Sequence, residues 1–288
     1  MGEVLGIIGG SGLYALPLRS ARWRAVETPW GVPSDELLEG ELEGLPVAFL
    51  PRHGRGHRLL PSEVPQRANV AALKAAGCTA VLSVAAAGSF RDELAPGTLV
   101  LATQIVDDTR GRPSTFFGDG IVAHVSLARP VVHELLDRIE AAAREANVRL
   151  VRGGTYLCIE GPRFATRAES LARRAAGHDV VGMTAMPEAA LVREAEMAYA
   201  LVAMVTDFDG WTDAPVTTAG VLEAMANGVA QVQALVRAVA GRLARDPLPR
   251  PSAEGWERAL DGAVVTARAA WPEATRARLA TLCPRIFG

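Results

Sequence analysis

Short apolar runs alternate with amphipathic stretches along most of this chain. The runs VLGIIG (4–9), LPVAFL (45–50), AVLSVAAAG (80–88), TLVLAT (98–103), GTYLCI (154–159), DVVGM (179–183) and YALVAMV (199–205) predict strands. They are close to continuously apolar rather than alternating, the mark of strands buried on both faces in a largely parallel sheet. Segments 63–76, 130–147, 167–176, 187–197 and 218–245 predict helices. In RPVVHELLDRIEAAAREAN, Val132, Leu135, Leu136 and Ile139 form one stripe with charge opposite, as on a helix with a single buried face. Buried strands separated by helices predict an α/β protein, a twisted mixed sheet, largely parallel, flanked by helices. No internal repeat is visible. The pattern breaks once, at DPLPRPSAEG (246–255), whose prolines cannot continue the preceding helix. The expected organisation is a main domain over 1–245 and a C-terminal helical extension over 246–288, carrying Trp256 and Trp271. That extension is too short for a core of its own, so it is expected to pack on the same domain or on a neighbouring subunit.

Composition narrows the function classes. With 288 residues, 49% of them hydrophobic, the chain can bury a substantial core. The formal net charge is -2 and no basic run stands out, which argues against a nucleic-acid partner. No apolar run reaches the ~18 residues that a membrane helix needs. MGEVLGIIGG lacks a basic n-region and a cleavage site, so it does not read as a signal peptide. Cys78, Cys158 and Cys283 are odd in number and far apart, which fits neither a disulfide framework nor a metal knuckle. The expected compartment is a reducing cytoplasm.

Four stretches carry candidate chemistry. In GIIGGSGLYAL (6–16) a strand ends in a glycine-rich turn around Ser11, where backbone amides and a hydroxyl suit an anion. Gly10, Gly12 and Ala15 also fit the degenerate dinucleotide pattern G-x-G-x-x-A. The following RSARWRAVETPWG reads as a second strand where that pattern needs a helix; a plain structural turn is the bland reading. In PRHGRGHRLLPSEVPQRAN (51–69), Arg52, His53, Arg55 and His57 gather beyond a strand end. Such donors suit phosphate, which an arginine can grip with two parallel bonds, although a solvated basic loop is the alternative. Zinc would lack a third ligand nearby. In VVGMTAMPEAALVREAEMAYA (180–200) a strand delivers Met183 and Thr184 to a turn, and Pro187 opens a helix. Thr184 can bond a ligand or cap that helix. In VTDFDGW (205–211), period two places Asp207 and Asp209 on one face, and Thr206 and Phe208 on the other. The position lies beyond a strand's carboxyl end, where α/β sheets bind ligands. Two acids there can bind a metal, flank a glycosidic bond, hydrogen-bond a basic heterocycle, or simply cap a surface turn.

Together these stretches resemble the trimeric purine nucleoside phosphorylase family, most closely its methylthioadenosine-cleaving branch. The matching segments are GIIGGSGL, TPWGVPSDELLEGEL, RHGRGH, CTAVLSVAAAGSFRDELAPG, RPSTFFGDG, IEGPRFATRAES, VVGMTAMPEAALVREAEMAYA and VTDFD, in the family's order. The resemblance implies a pentosyltransferase, with 5'-methylthioadenosine and orthophosphate giving adenine and 5-methylthioribose 1-phosphate. It implies a homotrimer with sites at subunit contacts, orthophosphate as co-substrate, and neither cofactor nor metal. Carried over residue by residue, Ser11, Arg52, His53, the amide of Ala86 and the hydroxyl of Thr184 would hold phosphate. Met183 would lie against the ribose, Phe164 against the purine ring, and His124 would reach the 5' substituent from a neighbouring subunit. Leu279 or Leu282 of the C-terminal extension would help line that apolar 5' pocket. Asp207 would supply a proton to purine N7, and Asp209 would accept from the 6-amino group. Two acceptors favour a 6-aminopurine over a 6-oxopurine. The alternatives are a phosphorylase for methylthioinosine or 6-oxopurine nucleosides, and a non-enzymatic purine-binding module. Two departures stand out: Ala85 where the methylthioadenosine branch carries threonine, and VPQRAN, with Pro65 and Gln66, where the family has VNYRAN or VNYQAN.

Overall fold

The computed structural model describes residues 3–213 and 215–288, and of Ser11 the main chain only. The first half of the chain forms β1 (Leu5–Gly9), β2 (Arg19–Arg24), β3 (Leu37–Leu42), β4 (Leu45–Pro51), α1 (Gln66–Ala75), β5 (Ala80–Ser89), β6 (Leu99–Leu101), β7 (Gln104–Asp108) and α2 (His133–Glu145). The second half forms β8 (Leu150–Arg152), β9 (Thr155–Ile159), α3 (Arg167–Ala175), β10 (Val180–Gly182), α4 (Ala185–Glu194), β11 (Ala198–Asp207), α5 (Thr218–Arg245), α6 (Glu273–Ala280) and α7 (Pro284–Phe287). One sheet holds all the strands in the order β2-β3-β4-β1-β5-β10-β9-β7, with β11, β6 and β8 branching from β5. The pairings β1–β4, β1–β5, β5–β11, β9–β10, β7–β9 and β6–β8 are parallel, and β2–β3, β3–β4, β5–β10 and β6–β11 antiparallel. The largely parallel, mixed sheet of the sequence pattern is therefore present.

The long strand β5 organises the centre. Ala80–Ser83 pair with β1 and Ala80–Gly88 with β11, while Gly88 and Ser89 pair with β10. The sheet thus forks where β1 gives way to β10, and the carboxyl ends of β1, β4, β5, β10 and β11 surround the fork. Strands β1, β5 and β11 have no exposed position, which is why they read as unbroken apolar runs. Helix α5 spans the expected 218–245, and the Thr217 Oγ1 accepts the Gly220 N–H at 3.1 Å as its N-cap.

Three strands lay outside the expected set, each for a visible reason. LLEGEL of β3 carries two glutamates and Gly40, where a Cβ would lie 2.8 Å from the Arg19 carbonyl oxygen. QIVDD of β7 is mostly exposed, and β8 is only three residues long. In the C-terminal extension, Trp256, Leu260, Leu279, Leu282 and Phe287 are buried in the same core as the strands. Phe287 packs on Phe117 and Trp271, with ring centroids 6.1 and 5.1 Å away. Among the described residues no helix is long and apolar enough to cross a membrane.

Candidate active site

A cavity of about 340 Å³ opens at the fork of the sheet. Its walls include Arg52, His53, Ala86, Phe164, Met183, Thr184, Asp207 and Asp209, which come from segments far apart in the chain. The bulge that ends β11 shapes one wall. Between Val205 and Asp207 the register against β5 slips, so that Asp207 rather than Thr206 faces Gly88. A bulge re-aims side chains, and here Thr206, Asp207 and Asp209 all line the cavity. The period-two expectation of Thr206 on the opposite face is therefore corrected. The strand stops at Asp207, and Asp209 begins a 3-10 turn with φ +46°.

The two carboxylates are held differently. Asp207 Oδ1 accepts the Asp209 N–H at 2.8 Å, and Oδ2 accepts the Thr206 hydroxyl at 2.8 Å. Burial pushes the Asp207 carboxyl above the ordinary aspartate range, against these two donors, and the neighbouring Asp209 pushes the same way. Asp209 is itself buried, and its Oδ2 accepts the Ser170 hydroxyl, whose oxygen takes the Gly210 N–H at 3.2 Å. Gly88 makes room for the pair: a Cβ there would lie 2.9 Å from Asp207 Oδ1 and 3.2 Å from the Asp209 Cβ.

At the other end of the cavity, Arg52 is buried and its guanidinium is already engaged. Nε reaches Glu188 Oε2 at 3.2 Å, Nη1 the Val84 carbonyl at 2.9 Å, and Nη2 both Ser83 Oγ at 2.7 Å and the Ile8 carbonyl at 3.3 Å. One Nη1 hydrogen remains, so the two-bond grip on an anion expected of this arginine is not available. Glu188, fully buried, also accepts the Tyr199 hydroxyl at 2.9 Å. His53 lies with Nδ1 2.9 Å from the Leu59 carbonyl, which makes Nδ1 the protonated nitrogen of the neutral ring. Burial, the Arg52 cation and His57 stacked 4.4 Å away hold its pKa down to about 4. Thr184 makes no capping bond to α4. Its buried hydroxyl and that of Tyr156 approach each other without hydrogen-bond geometry, and neither has another partner among the described residues. Such a group is costly to bury unpaired and is ready for a ligand.

Other candidates stand elsewhere. Of the basic cluster, His57 lines the cavity, whereas exposed Arg55 pairs with Asp35 and Glu36 outside it. His124 is exposed and does not line the cavity of its own chain. Leu279 and Leu282 are sealed in the core at 1% and 2% exposure, so they cannot line a ligand pocket. The apolar wall comes instead from α5, through Val221, Leu222, Met225 and Val229. Ala85 lines the cavity, while Pro65 and Gln66 border a separate cavity of about 190 Å³. The Ser11 side chain lies outside what is described. The glycine turn runs from β1 into a 3-10 turn, Ser11–Leu13, and then β2, which removes the helix a dinucleotide pattern requires. Among the described residues no cluster of three or more His, Cys, Asp or Glu could hold a metal. The sequence reading missed Ser170, Glu188, Gly88 and the α5 wall. The last had a signal, since apolar side chains stand on α5 positions that its core contacts do not use.

A mixed sheet whose strand ends meet at an open cavity, with two carboxylates at one end and anion-ready donors at the other, defines a class. The chain belongs to the Phosphorylase superfamily, whose model matches residues 4–240. More particularly, it is similar to the S-methyl-5'-thioadenosine phosphorylase of Bradyrhizobium diazoefficiens, 50% identical over 268 residues that cover 92% of this chain and 91% of that protein. Among solved structures it is similar to a methylthioadenosine phosphorylase from an antarctic soil metagenomic library, with TM-score 0.92, 44% identity, and coverage of 98% of this chain and 99% of that one. It is also similar to the methylthioadenosine phosphorylase of Schistosoma mansoni in complex with adenine, with TM-score 0.81, 38% identity, and coverage of 85% and 92%.

Proposed function

We propose that this chain catalyses phosphorolysis of 5'-methylthioadenosine to adenine and 5-methylthioribose 1-phosphate. The observation that carries the reading is the pairing, in one cavity, of the Asp207–Asp209 carboxylates with the unpartnered Thr184 hydroxyl beside Arg52 and His53. Phosphate would sit at the second group, with the Ala86 amide, the remaining Arg52 hydrogen and the Thr184 hydroxyl as donors. Neutral His53 keeps Nε2 as an acceptor, suited to a phosphate hydroxyl. Met183 would lie along the ribose and Phe164 against the base.

In the reaction a phosphate oxygen bonds to C1' of the sugar as the C1'–N9 bond breaks, and its electron pair passes to the purine. Asp207, whose carboxyl burial shifts toward its protonated form, would give a proton to N7 as that charge develops. The phosphate's negative charge stabilises the cationic character that the sugar develops as one bond breaks and the other forms. Asp209 accepts from the 6-amino group, where a 6-oxo group would face a second acceptor across a buried gap. The α5 side chains Val221, Leu222 and Met225 suit an apolar 5'-methylthio group. Orthophosphate is the only co-substrate in this scheme and no organic cofactor or metal takes part. The working form is a cytoplasmic homotrimer.

The test is purine release from 5'-methylthioadenosine, adenosine and inosine, each with and without orthophosphate. Phosphate-dependent adenine release, fastest with the methylthio substrate, is expected. Release of hypoxanthine alone would leave a phosphorylase and overturn the reading of the carboxylates.

A further inference from the structure

Two separate segments form the side of the cavity that carries Phe164, Met183 and Thr184. One is the loop after β9, from Ile159 to Ala165; the other is the turn between β10 and α4. Their ladder ends at the Cys158–Gly182 pair, and beyond it no main-chain hydrogen bond joins them among the described residues. They nevertheless touch. Gly161 has φ +67°, and a Cβ there would lie 2.3 Å from Met183 Sδ.

Arg112, in the RPSTFF segment, spans the gap. Its side chain is 3% exposed and all five of its N–H groups are engaged. Nη1 donates to the Met183 and Met186 carbonyls at 2.8 and 2.9 Å. Nη2 donates to the Glu160 and Ile159 carbonyls at 2.7 and 3.4 Å, and Nε to Glu160 Oε2 at 3.1 Å. Met186 departs from helical torsions, with φ -119° and ψ 139°, which turns its carbonyl out of the α4 ladder and toward the guanidinium. Glu160 Oε2 also takes the Arg110 N–H at 2.8 Å, so the 110–112 segment is itself fixed. No other side chain offers five donors in a fixed planar fork.

We propose that Arg112 is a positioning residue for the cavity, holding the Phe164 loop and the Met183–Thr184 turn at the separation their ligands require. It touches neither Asp207 nor Asp209, so its effect falls on binding and not on the proton. The kinetic part of the test rests on the phosphorolysis reading. In Arg112→Lys, three donors on a flexible stem cannot meet five acceptors. KM for both nucleoside and phosphate should rise about tenfold or more, with kcat changed less than about threefold, as when binding common to ground and transition states is lost. The pH profile of kcat should not move. Trypsin cleavage after Arg163, identified by mass, should quicken as the loop loosens. Glu160→Gln keeps the four carbonyl bonds and should show a smaller KM rise in the same direction. Unchanged KM values in soluble Arg112→Lys, even with a lower melting temperature, would mean a role in stability alone and overturn the proposal. If that variant is insoluble, unchanged KM values in Glu160→Gln overturn it. If the wild type releases no purine with phosphate, the phosphorolysis reading fails by itself. Cleavage at Arg163 then decides for the clamp, and equal rates in wild type and variant sink it.

Discussion

Asp207 receives two hydrogen bonds that favour its anion, yet burial and the adjacent Asp209 carry its pKa upward. The balance matters because an acid for N7 must hold its proton near neutral pH and release it only as the bond breaks. Activity should therefore fall as pH rises through a pKa above the ordinary aspartate value. A raised pKa also means that the fold favours the protonated carboxyl, so this contribution to stability is lost as pH rises. Asn at this position copies the protonated shape. Its oxygen can take the Asp209 N–H, and its amide can face Thr206, whose hydroxyl can turn to the Ala87 carbonyl 3.3 Å away. Asp207→Asn should then lower kcat by about 10²–10⁴ and leave the melting temperature at pH 8 no lower than that of the wild type. Steady-state kinetics beside a thermal melt checks both halves; a variant that keeps its turnover removes Asp207 from the mechanism.

At the scale of elements, α4 links cavity and core through charges that the chain buries at both ends. Glu188 in its first turn meets Arg52, and Glu194 in its last turn accepts the Thr115 hydroxyl and the Phe116 N–H, both at 2.7 Å, with no cation paired to it among the described residues. Burial raises the Glu194 pKa from 4.5 to about 7, the two donors only partly offsetting it. The protonated form thus supports the fold fully below the unfolded value, and that support is lost as pH rises from there through about 7. Glu194→Gln can keep both bonds, its oxygen on the Phe116 N–H and its amide on the Thr115 oxygen. It should match the wild type at low pH and exceed it at pH 8 by on the order of 1–3 kcal/mol, read as the pH dependence of the melting difference. A constant difference across pH would refute the account. These elements differ in how far the sequence reveals them. A long amphipathic helix with a threonine cap, such as α5, is legible to its ends, and so are strands buried on both faces. Edge strands such as β7 carry no apolar signature. The β11 bulge turns on one residue of register against β5, which no local pattern contains. For the same reason the chemistry-bearing side chains were legible as types at strand ends, while their partners were not. The Arg52–Glu188 contact joins residues 136 positions apart, and it decides that Arg52 offers an anion one hydrogen instead of two.

The whole molecule leaves its cavity bordered by exposed apolar side chains, Leu222 at 59% and Phe164 at 39%, while His124 stays exposed outside it. In the proposed trimer these facts belong together, with a neighbour covering the mouth and presenting its His124 to the 5' substituent. The arrangement separates one site between two chains, and hybrids can reveal that. His124→Ala keeps Asp207 and should raise KM for 5'-methylthioadenosine about 3- to 10-fold, as expected when one polar contact is lost, with KM for phosphate unchanged. Asp207→Asn chains turn over about 10²–10⁴-fold more slowly but still carry His124. Refolding a small amount of His124→Ala with excess Asp207→Asn places most intact carboxylates beside neighbours that supply the histidine. Once the slow background of Asp207→Asn alone is subtracted, the turnover comes from the His124→Ala chains, and their KM should return toward the wild-type value. If KM stays at the His124→Ala value, the histidine does not act across a subunit boundary, and the shared site is wrong even if the particle has three chains.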